Sequence, residues 1–368
     1  MRRITLLLAF AMTVINMAAC GTNDVTRPDD DNPMGNERPS DGTISNPDEA
    51  VNPTIGDKAP MSGMVNLWYK GRVPSVTKNV NNSDGADFIP NMEVFTVAQD
   101  VTPKGAVMIC PGGAFVFRSM QNEGYEVADM LTALGYQCFV VNYRIQPYNM
   151  QESATDLQRA IRYVRAHAED YRINAENIAL VGFSAGGILN GEVLLNWRDL
   201  KNASSLDNSY QPDELDKVPV SACAVGMIYS FYGRLSVSMN NVETLRAASL
   251  PPAFYCWGTR DGFASQFTQN SNAVREAGCT VETHILQNYP HGYGTGGNAS
   301  VWGNDFDAFL TPIMRHNTTG VKTVASTAAN GKTEYYTLAG TQISSPDSAS
   351  GAYIHKSALG STKMIKKK

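Results

Sequence analysis

The sequence GFSAG at residues 182–186 places Ser184 between two glycines in the pattern Gly-x-Ser-x-Gly. The apolar run Ile178–Val181 before it is typical of a buried strand, and residues Gly187–Trp197 after it are typical of a helix. A serine on such a strand–turn–helix segment exposes its hydroxyl at the carboxyl edge of a sheet. Short Gly/Ser motifs also occur by chance, but this context predicts that Ser184 is a nucleophile.

A serine hydroxyl needs a neighbouring base, and the base needs a third group that orients it. On a strand–turn–helix scaffold these partners follow the serine in the order acid, then histidine. His291 lies in the glycine-rich stretch YPHGYG after a strand-like run, and we predict that it is the base. His284, inside the strand-like run, is the alternative. His167 precedes the serine and is expected on the surface of a helix.

The predicted acid is Asp261, which directly follows the strand-like segment Ala253–Trp257. A carboxylate at this strand end can reach the far imidazole nitrogen and fix the tautomer. The alternative is that Asp261 merely caps the following turn. Asp305 and Asp307 come after the histidine, which is the wrong order for this scaffold.

Two segments are candidates for stabilising a negatively charged oxygen with backbone N–H groups. One donor is the amide of Ala185, next to the nucleophile. The other segment is CPGGAF at residues 110–115, where Gly112, Gly113 and Ala114 follow a strand-like run. Adjacent glycines let the backbone turn its amides towards a ligand.

The elements that carry these residues alternate between strand-like and helical patterns. Strands are predicted at Met92–Val97, Ala106–Cys110, Gln137–Tyr143, Ala222–Ile228 and Val281–Leu286, besides those already named; helices are predicted at Glu123–Leu134, Ser153–Asp170 and Gln266–Ala277, with a last one through Phe306 and Ile313. The alternation predicts an α/β fold with a mostly parallel sheet covered by helices on both faces. Sites in such sheets form at the carboxyl ends of strands.

Composition excludes several function classes. The 368 residues are 43% hydrophobic, enough for one large domain with appendages, and the net charge of −5 argues against a nucleic-acid partner. The cysteines are widely spaced and lack metal-ligand spacing, so we expect small buried side chains rather than a metal site or a disulfide framework. No cofactor is expected.

The N-terminus predicts export. Two arginines precede the apolar run Ile4–Val14, which is too short to span a bilayer. The sequence MAAC at residues 17–20 resembles the lipobox of bacterial lipoproteins. That resemblance implies cleavage before Cys20 and lipid attachment to its sulfur, so that the protein would be a cell-envelope lipoprotein in the outer membrane, facing the periplasm or the surface. An ordinary signal peptide is the alternative.

Four segments are predicted in the chain. Residues 1–20 are the lipoprotein signal peptide, 21–60 a flexible linker poor in large apolar residues, 61–317 the catalytic domain, and 318–368 a linker with a C-terminal tail or small β-module. The tail weakly resembles the C-terminal β-module of secreted Bacteroidetes proteins; an accessory tail without a defined fold is the alternative.

Taken together, the motifs resemble those of the α/β-hydrolase esterases related to hormone-sensitive lipase, especially the acetyl xylan and bifunctional acetyl/feruloyl esterases. The resemblance covers residues 64–316 and rests on CPGGAF, Glu123-Gly124, Val141–Arg144, the helix with Arg159 and Arg162–Arg165, GFSAGG, Leu250–Ala253 and PHGYG. It implies an α/β-hydrolase fold with Ser184 as nucleophile, Asp261 as acid, His291 as base and residues 112–114 as the oxyanion loop. Cys110 departs from the histidine of the wider lipase family.

The function predicted from this resemblance is that of a serine esterase, which hydrolyses acetyl and also feruloyl esters on carbohydrate, in particular plant polysaccharide or its oligosaccharides, through an acyl-enzyme. The predicted partner is the acylated carbohydrate substrate, and no cofactor is expected. Residues 198–219, where lids and substrate loops insert in such proteins, are polar, which disfavours long-chain lipid substrates. A serine peptidase of the prolyl-oligopeptidase type and a glycan-binding lipoprotein with a degenerate hydrolase fold are the alternatives.

Overall fold

The computed structural model describes residues 51–78, 80, 84–85, 87–198 and 201–319, together with four strands between residues 334 and 365. The chain divides into two compact units, residues 1–314 and 315–368. The signal peptide, Cys20 and most of the predicted linker lie outside the described residues.

The first unit is built on a sheet and a short hairpin. The strands are β1 (Gly63–Asn66), β2 (Asn91–Phe95), β3 (Ala106–Cys110), β4 (Gln137–Asn142), β5 (Ile178–Phe183), β6 (Ala224–Ile228), β7 (Gly233–Arg234), β8 (Val237–Ser238), β9 (Ala253–Gly258) and β10 (Val281–Leu286). Eight of them form one sheet in the order β1-β2-β4-β3-β5-β6-β9-β10, while β7 and β8 pair separately.

The sheet is mostly parallel, as the alternating pattern predicts. The strands from β4 to β10 in that order run parallel, whereas β1 and β2 add an antiparallel edge. All residues of β3, β5, β6 and β9 are buried, as expected for central parallel strands covered on both faces. By contrast, β10 is an edge strand with several exposed side chains.

Helices and helical turns connect the strands. They are α1 (Glu126–Ala133), α2 (Met150–Ala166), α3 (Ala185–Glu192), α4 (Ala203–Leu206), α5 (Val242–Ala247), α6 (Ala264–Glu276) and α7 (Gly303–Thr319), with π-helical turns at Met120–Tyr125 and Val193–Trp197 and a 3₁₀ turn at Glu214–Lys217. Helix α2 begins three residues before the predicted start because Asn149 and Glu152 form a capping box there. The periodicity of apolar residues does not show such a polar cap.

The last ten residues of the predicted linker pack on the first unit. The amide of Val51 donates to the carbonyl of Met64, and Ala59 is buried and donates to Asp170 Oδ2 at 3.0 Å. The predicted boundary at residue 60 is therefore too late in the chain. Hydrogen bonds of the backbone hold this segment in place. Its low content of apolar residues therefore does not reveal that it packs on the domain.

The prediction that His167 is a surface residue is wrong. Its side chain is buried between Asp170 and the same N-terminal segment. Nδ1 lies 3.0 Å from Asp170 Oδ2, and Nε2 lies 2.8 Å from the carbonyl oxygen of Thr54. The docked segment, residues 51–60, covers the end of helix α2, which would otherwise be exposed.

The polar segment 198–219, discussed above as a place for a lid, lies against helix α2 in its described part. Asp213 accepts hydrogen bonds from Arg159, and Asp216 lies 3.0 Å from Arg162. Both arginines are on α2. None of the residues that line the cavity beside Ser184 belongs to this segment. The charged residues therefore fix the segment to the helix, away from that cavity.

The described cysteines form no disulfide, and Cys110, Cys138 and Cys256 are buried in strands as predicted. Cys223 and Cys279 are half-buried. Within the described part of the chain, no helix combines the length and apolar character needed to cross a bilayer. Nor does that part contain a group of three or more His, Cys, Asp or Glu side chains that could hold a metal ion.

The second unit contains a four-stranded antiparallel sheet. Its strands are β11 (Glu334–Thr337), β12 (Gln342–Ile343), β13 (Ala352–Ser357) and β14 (Gly360–Ile365), in the order β12-β11-β13-β14. The sequence Tyr335–Leu338 and the sequence Ala352–Ile354 are strand-like, and they overlap β11 and β13. The relation of this unit to a secretion module stays a prediction.

Candidate active site

Ser184 lies in a strained turn between β5 and α3. Its backbone angles are φ 49° and ψ −115°, which a non-glycine residue rarely adopts. Two hydrogen bonds from the neighbouring end of β6 hold this turn. The Ser184 amide donates to the carbonyl of Ile228 at 3.1 Å, and Ser230 Oγ donates to the carbonyl of Ser184 at 2.6 Å. Strain of this kind persists where the surroundings fix it, commonly at functional sites.

Close packing of the backbone explains the glycines of the motif. A Cβ atom on Gly182 would lie 2.5 Å from the amide nitrogen of Gly187, and one on Gly186 would lie 1.9 Å from the carbonyl oxygen of Cys110. Any larger residue would push α3 away from the strands. The motif thus places the hydroxyl of Ser184 at the carboxyl edge of the sheet, as predicted.

The structure brings Ser184, His291 and Asp261 into one hydrogen-bonded relay. His291 Nε2 lies 2.9 Å from Ser184 Oγ, and His291 Nδ1 lies 2.7 Å from Asp261 Oδ2. All three residues are buried. Because a carboxylate only accepts hydrogen bonds, Nδ1 carries the proton in this arrangement, and Nε2 is left to accept the proton of the serine hydroxyl.

Asp261 serves both of the roles that the sequence left open. Its Oδ2 faces the imidazole, while its Oδ1 accepts the backbone N–H of Phe263 at 2.8 Å. This second bond closes the turn that leads from β9 into α6. The aspartate therefore orients the ring of His291 and shapes the loop from which it does so.

The alternative base, His284, lies elsewhere. It is on the edge strand β10, with Nε2 2.6 Å from Glu282 and Nδ1 3.2 Å from Asp305. Asp307 binds Lys104 and Tyr136. Asp305 and Asp307 therefore have their partners away from the relay.

The loop after β3 passes directly beside the serine. A Cβ atom on Gly112 would lie 3.0 Å from the Cβ atom of Ser184. Gly113 and Ala114 both have positive φ angles, 129° and 55°, so the backbone turns sharply here. The Tyr143 hydroxyl donates to the carbonyl of Pro111 at 2.6 Å and holds the start of the loop. The loop is thus placed where the oxyanion prediction requires it.

One of the predicted amide donors is already engaged. The Gly112 N–H donates to Glu123 Oε2 at 2.7 Å, so it is not available to a substrate. In the described residues, no protein hydrogen bond uses the amides of Gly113 or Ala114. The amide of Ala185 begins helix α3, where the first N–H groups have no intrahelical acceptor. The available donors are therefore Gly113, Ala114 and Ala185.

Aromatic rings enclose the imidazole of His291. The centroid of its ring lies 4.9 Å from that of Tyr229, 5.5 Å from Phe263 and 6.5 Å from Phe267. These rings exclude water from one side of the relay, and electrostatic interactions are stronger in such surroundings.

A small cavity opens beside the serine. Its lining consists of Ser184, Ile188, Tyr229, Ser230, Phe231, Phe263, Phe267 and His291. The volume of this cavity is about 10 Å³, which is close to the volume that one water molecule needs. Phe263 is an aromatic residue of this lining that also contacts the ring of His291. Phe115 and Tyr148 are buried, and Tyr293 packs against Tyr229.

Parts of the chain are similar to known proteins. Residues 92–249, somewhat less than half of the chain, match the BD-FAE protein family. An acetyl ester-xyloside bifunctional hydrolase from Caldicellulosiruptor lactoaceticus superposes with a TM-score of 0.55 at 22% identity, covering 70% of this chain and 97% of that protein.

The chain has the α/β-hydrolase fold.

Two known proteins share parts of this sequence. An acetylxylan esterase from Xylanibacter ruminicola is 36% identical over 92 residues, which are 25% of this chain and 19% of the relative. Esterase LipC from Mycobacterium tuberculosis is 30% identical over 131 residues, which are 35% of this chain and 30% of LipC. The chain thus spans less than one third of the length of either relative.

Two residues of this site were not predicted from the α/β-hydrolase motifs. Glu123, buried behind the loop that follows β3, belongs to the motifs of the resemblance but has no role implied by it, and no motif marks Tyr229. The tyrosine has a positive φ of 38° and packs on His291. A single sequence gives little signal for either, because a polar residue next to a glycine or a tyrosine after a strand is common.

Proposed function

We propose that this protein is a serine esterase that removes acetyl groups from carbohydrate. The observation that carries the proposal is the relay from Asp261 through His291 to Ser184, placed beside amide donors and a small cavity. Each part has a role in acyl transfer. The partial sequence matches to an acetylxylan esterase and to LipC support ester hydrolysis.

In the first half of the reaction, Ser184 Oγ attacks the ester carbonyl while His291 Nε2 takes the hydroxyl proton. Asp261 holds the imidazole by its Nδ1–H and stabilises the imidazolium. When the tetrahedral intermediate collapses, the bond between the acyl carbon and the sugar oxygen breaks, and the proton on Nε2 passes to that oxygen. The product is an acyl-enzyme and a free sugar hydroxyl.

The negative charge on the tetrahedral intermediate needs donors that are already in place. We assign this role to the amide of Ala185 together with Gly113 or Ala114, because the Gly112 amide is engaged by Glu123. Water then attacks the acyl-enzyme with His291 as base, and the serine is released with a free acid.

The cavity favours acetyl over feruloyl groups. A cavity of about 10 Å³ is close to the size needed for one water molecule. A methyl group therefore fits it better than the ring of an aromatic acid does. Phe263 is the half-buried wall of the cavity, so its movement would be needed for a larger acyl group. The small size of the cavity therefore argues against long acyl chains. The polar segment 198–219 does not line the cavity and so does not carry this argument.

The carbohydrate part of the proposal rests on the match to an acetylxylan esterase. It is tested by incubating the purified protein with acetylated and feruloylated xylo-oligosaccharides and reading the products by mass spectrometry. We expect loss of acetyl groups, with little release of ferulate. Turnover of p-nitrophenyl acetate but of no acetylated oligosaccharide would contradict the carbohydrate assignment.

A fluorophosphonate probe tests the nucleophile separately. The protein should react covalently at Ser184, and Ser184→Ala should not react. A protein that binds glycans without reacting would be the non-catalytic alternative, and cleavage of aminoacyl-proline substrates in place of esters would indicate a peptidase.

For its location, we propose on the basis of residues 1–20 that the protein is exported and carries lipid on Cys20. The sequence of this segment supports the proposal. The acylated substrate would then be met outside the cytoplasm.

A further inference from the structure

A second buried carboxylate lies behind the oxyanion loop. Glu123 is on the π-helical turn that follows the loop and is 5% exposed. Each of its oxygens accepts one hydrogen bond. Oε2 accepts from the amide of Gly112 and Oε1 from the hydroxyl of Tyr229, both at 2.7 Å. A carboxylate is costly to bury, and the reaction described above does not use it.

The hydroxyl of Tyr229 extends this arrangement to the loop of the histidine. The Gly294 N–H donates to the Tyr229 oxygen at 3.1 Å. Because that amide can only donate, the tyrosine proton is directed to Glu123. A continuous chain of hydrogen bonds therefore joins Gly112, Glu123, Tyr229 and Gly294. It connects the oxyanion loop with the loop that carries His291.

Tyr229 also contacts the relay directly. Its ring lies 4.9 Å from the imidazole of His291, and its backbone has a strained φ of 38°. The residues on either side, Ile228 and Ser230, both bind the backbone of Ser184. The tyrosine is therefore held at the junction of the nucleophile turn, the base and the oxyanion loop.

We infer that Glu123 is a positioning residue of the proposed esterase. Through Gly112 it fixes the oxyanion loop, and through Tyr229 it fixes the histidine loop, so that the amide donors and the base keep one geometry. Committing the Gly112 amide to Glu123 also leaves the next amides of the loop to face the substrate. The inference rests on the proposed function, since positioning is meaningful only if the relay reacts.

The charge of Glu123 matters for this role. Burial raises the pKa of Glu123, while the hydrogen bonds from Tyr229 and Gly112 and the charge of His291 oppose this. Both neighbours of the carboxyl group donate, so these two hydrogen bonds favour the ionised form, although burial outweighs them in the net shift of the pKa. A protonated carboxyl group would accept these hydrogen bonds more weakly, so protonation should loosen the network.

Other titratable and charged groups lie around Glu123 and Tyr229. Asp261 faces His291 from the β9–α6 loop. Tyr143, at the end of β4, interacts electrostatically with Glu123 and with Arg118. Because these groups are present in every variant below, differences between variants report on Glu123 and Tyr229.

The test compares Glu123→Gln, Tyr229→Phe and the double variant of the full chain. Hydrolysis of p-nitrophenyl acetate is measured from acid to alkaline pH, and rates are normalised to active sites titrated with a fluorophosphonate. Tyr136→Phe is the matched control, because Tyr136 is buried and its hydroxyl donates to the Asp307 carboxylate at the same 2.7 Å, away from the relay.

We expect each single variant to lower kcat by about tenfold to hundredfold with KM nearly unchanged, as for a small misplacement of catalytic groups. The double variant should be little worse than either single one, because both remove the same connection. The acid side of the kcat/KM profile should be shallower in Glu123→Gln, which lacks one of the ionisations. The control should keep the wild-type kcat and profile.

Several outcomes would overturn the inference while leaving the esterase intact. These are an active wild-type protein whose Glu123→Gln variant keeps its kcat, or single-variant losses that multiply in the double variant. A loss matched by Tyr136→Phe would indicate a general effect of removing such a bond. If Glu123→Gln does not fold, Tyr229→Phe decides alone, and unchanged kcat in that variant refutes the inference. An inactive, unlabelled wild type would instead refute the proposed function.

Discussion

The Oγ atom of Ser184 lies 2.9 Å from the Nε2 atom of His291, although 107 residues separate them in the sequence. The turn that carries the serine is strained, and it is held by hydrogen bonds to the carbonyl of Ile228 and from the hydroxyl of Ser230 near the end of β6. The hydroxyl therefore meets the imidazole without any rearrangement.

Replacing Ser184 should separate activity from stability. Ser184→Ala removes the nucleophile, and kcat for p-nitrophenyl acetate should fall by about 10⁴-fold or more. Ser184→Gly should be equally inactive but more stable than Ser184→Ala by about 1 kcal/mol, because glycine tolerates a positive φ. Thermal unfolding of both variants measures the difference. Equal stability would mean that the turn is not strained in solution.

Asp261→Asn should impair the relay because asparagine has a single acceptor oxygen. In the structure one carboxylate oxygen binds His291 and the other binds the Phe263 amide. Asparagine can satisfy one of these donors and lacks the charge that stabilises the imidazolium. We expect kcat to fall by about 10³- to 10⁴-fold.

The matched control for this variant is Asp305→Asn. Asp305 is half exposed and lies beside His284, a histidine outside the relay. Its replacement should leave the rate of p-nitrophenyl acetate hydrolysis close to that of the wild type. A comparable loss in both variants would argue against a specific role of Asp261.

Glu123→Gln should change how stability depends on pH. Burial raises the pKa of Glu123, so the folded protein keeps a proton there at pH values where the unfolded chain has lost it. The resulting stabilisation is present at acid pH and is lost as the pH rises through the raised pKa. Glutamine does not titrate. The Tm of the variant relative to the wild type should therefore rise as the pH is raised above the ordinary pKa of a glutamate.

Thermal unfolding across this pH range checks the sign. A Tm difference that is constant with pH would show that Glu123 titrates alike in both states. A difference that falls as the pH rises would mean that the folded state favours the ionised group. The pH trend, unlike the Tm at one pH, is independent of the packing cost of the substitution.

Cys20→Ser should release the protein from the membrane if Cys20 carries lipid. In a bacterial host, the unaltered protein should sediment with membranes and incorporate labelled fatty acid, whereas the variant should do neither. Cys279→Ser is the control, because this half-buried cysteine lies in the folded unit. Membrane association of Cys20→Ser would rule out the lipid anchor.

The strands that carry the relay could be predicted because their residues obey a simple rule. β5 and β9 are apolar runs that lead into Ser184 and Asp261, and the mixed edge strand β10 leads into the loop with His291. Parallel strands bring their carboxyl ends to one edge of the sheet. His291 is distinguished from His284 because it lies in the glycine-rich loop after β10, whereas His284 lies within the strand. Local pattern was sufficient wherever a site residue follows its strand directly.

Other features depend on contacts that sequence separation hides. The engagement of Gly112 by Glu123 required knowledge of a helical turn folded back on the loop. The burial of His167 required knowledge of the docked segment that begins at Val51. In each case a polar group is satisfied by a distant partner, and the types of the neighbouring residues do not reveal it.

The dual bonding of Asp261 has a consequence for redesign of the protein. Residues between Gly258 and Ala264 form both the bend into α6 and the support of the imidazole, so their length cannot be altered for one purpose alone. Insertions intended to widen substrate scope would be better tolerated in the β7–β8 hairpin, whose strands pair apart from the main sheet.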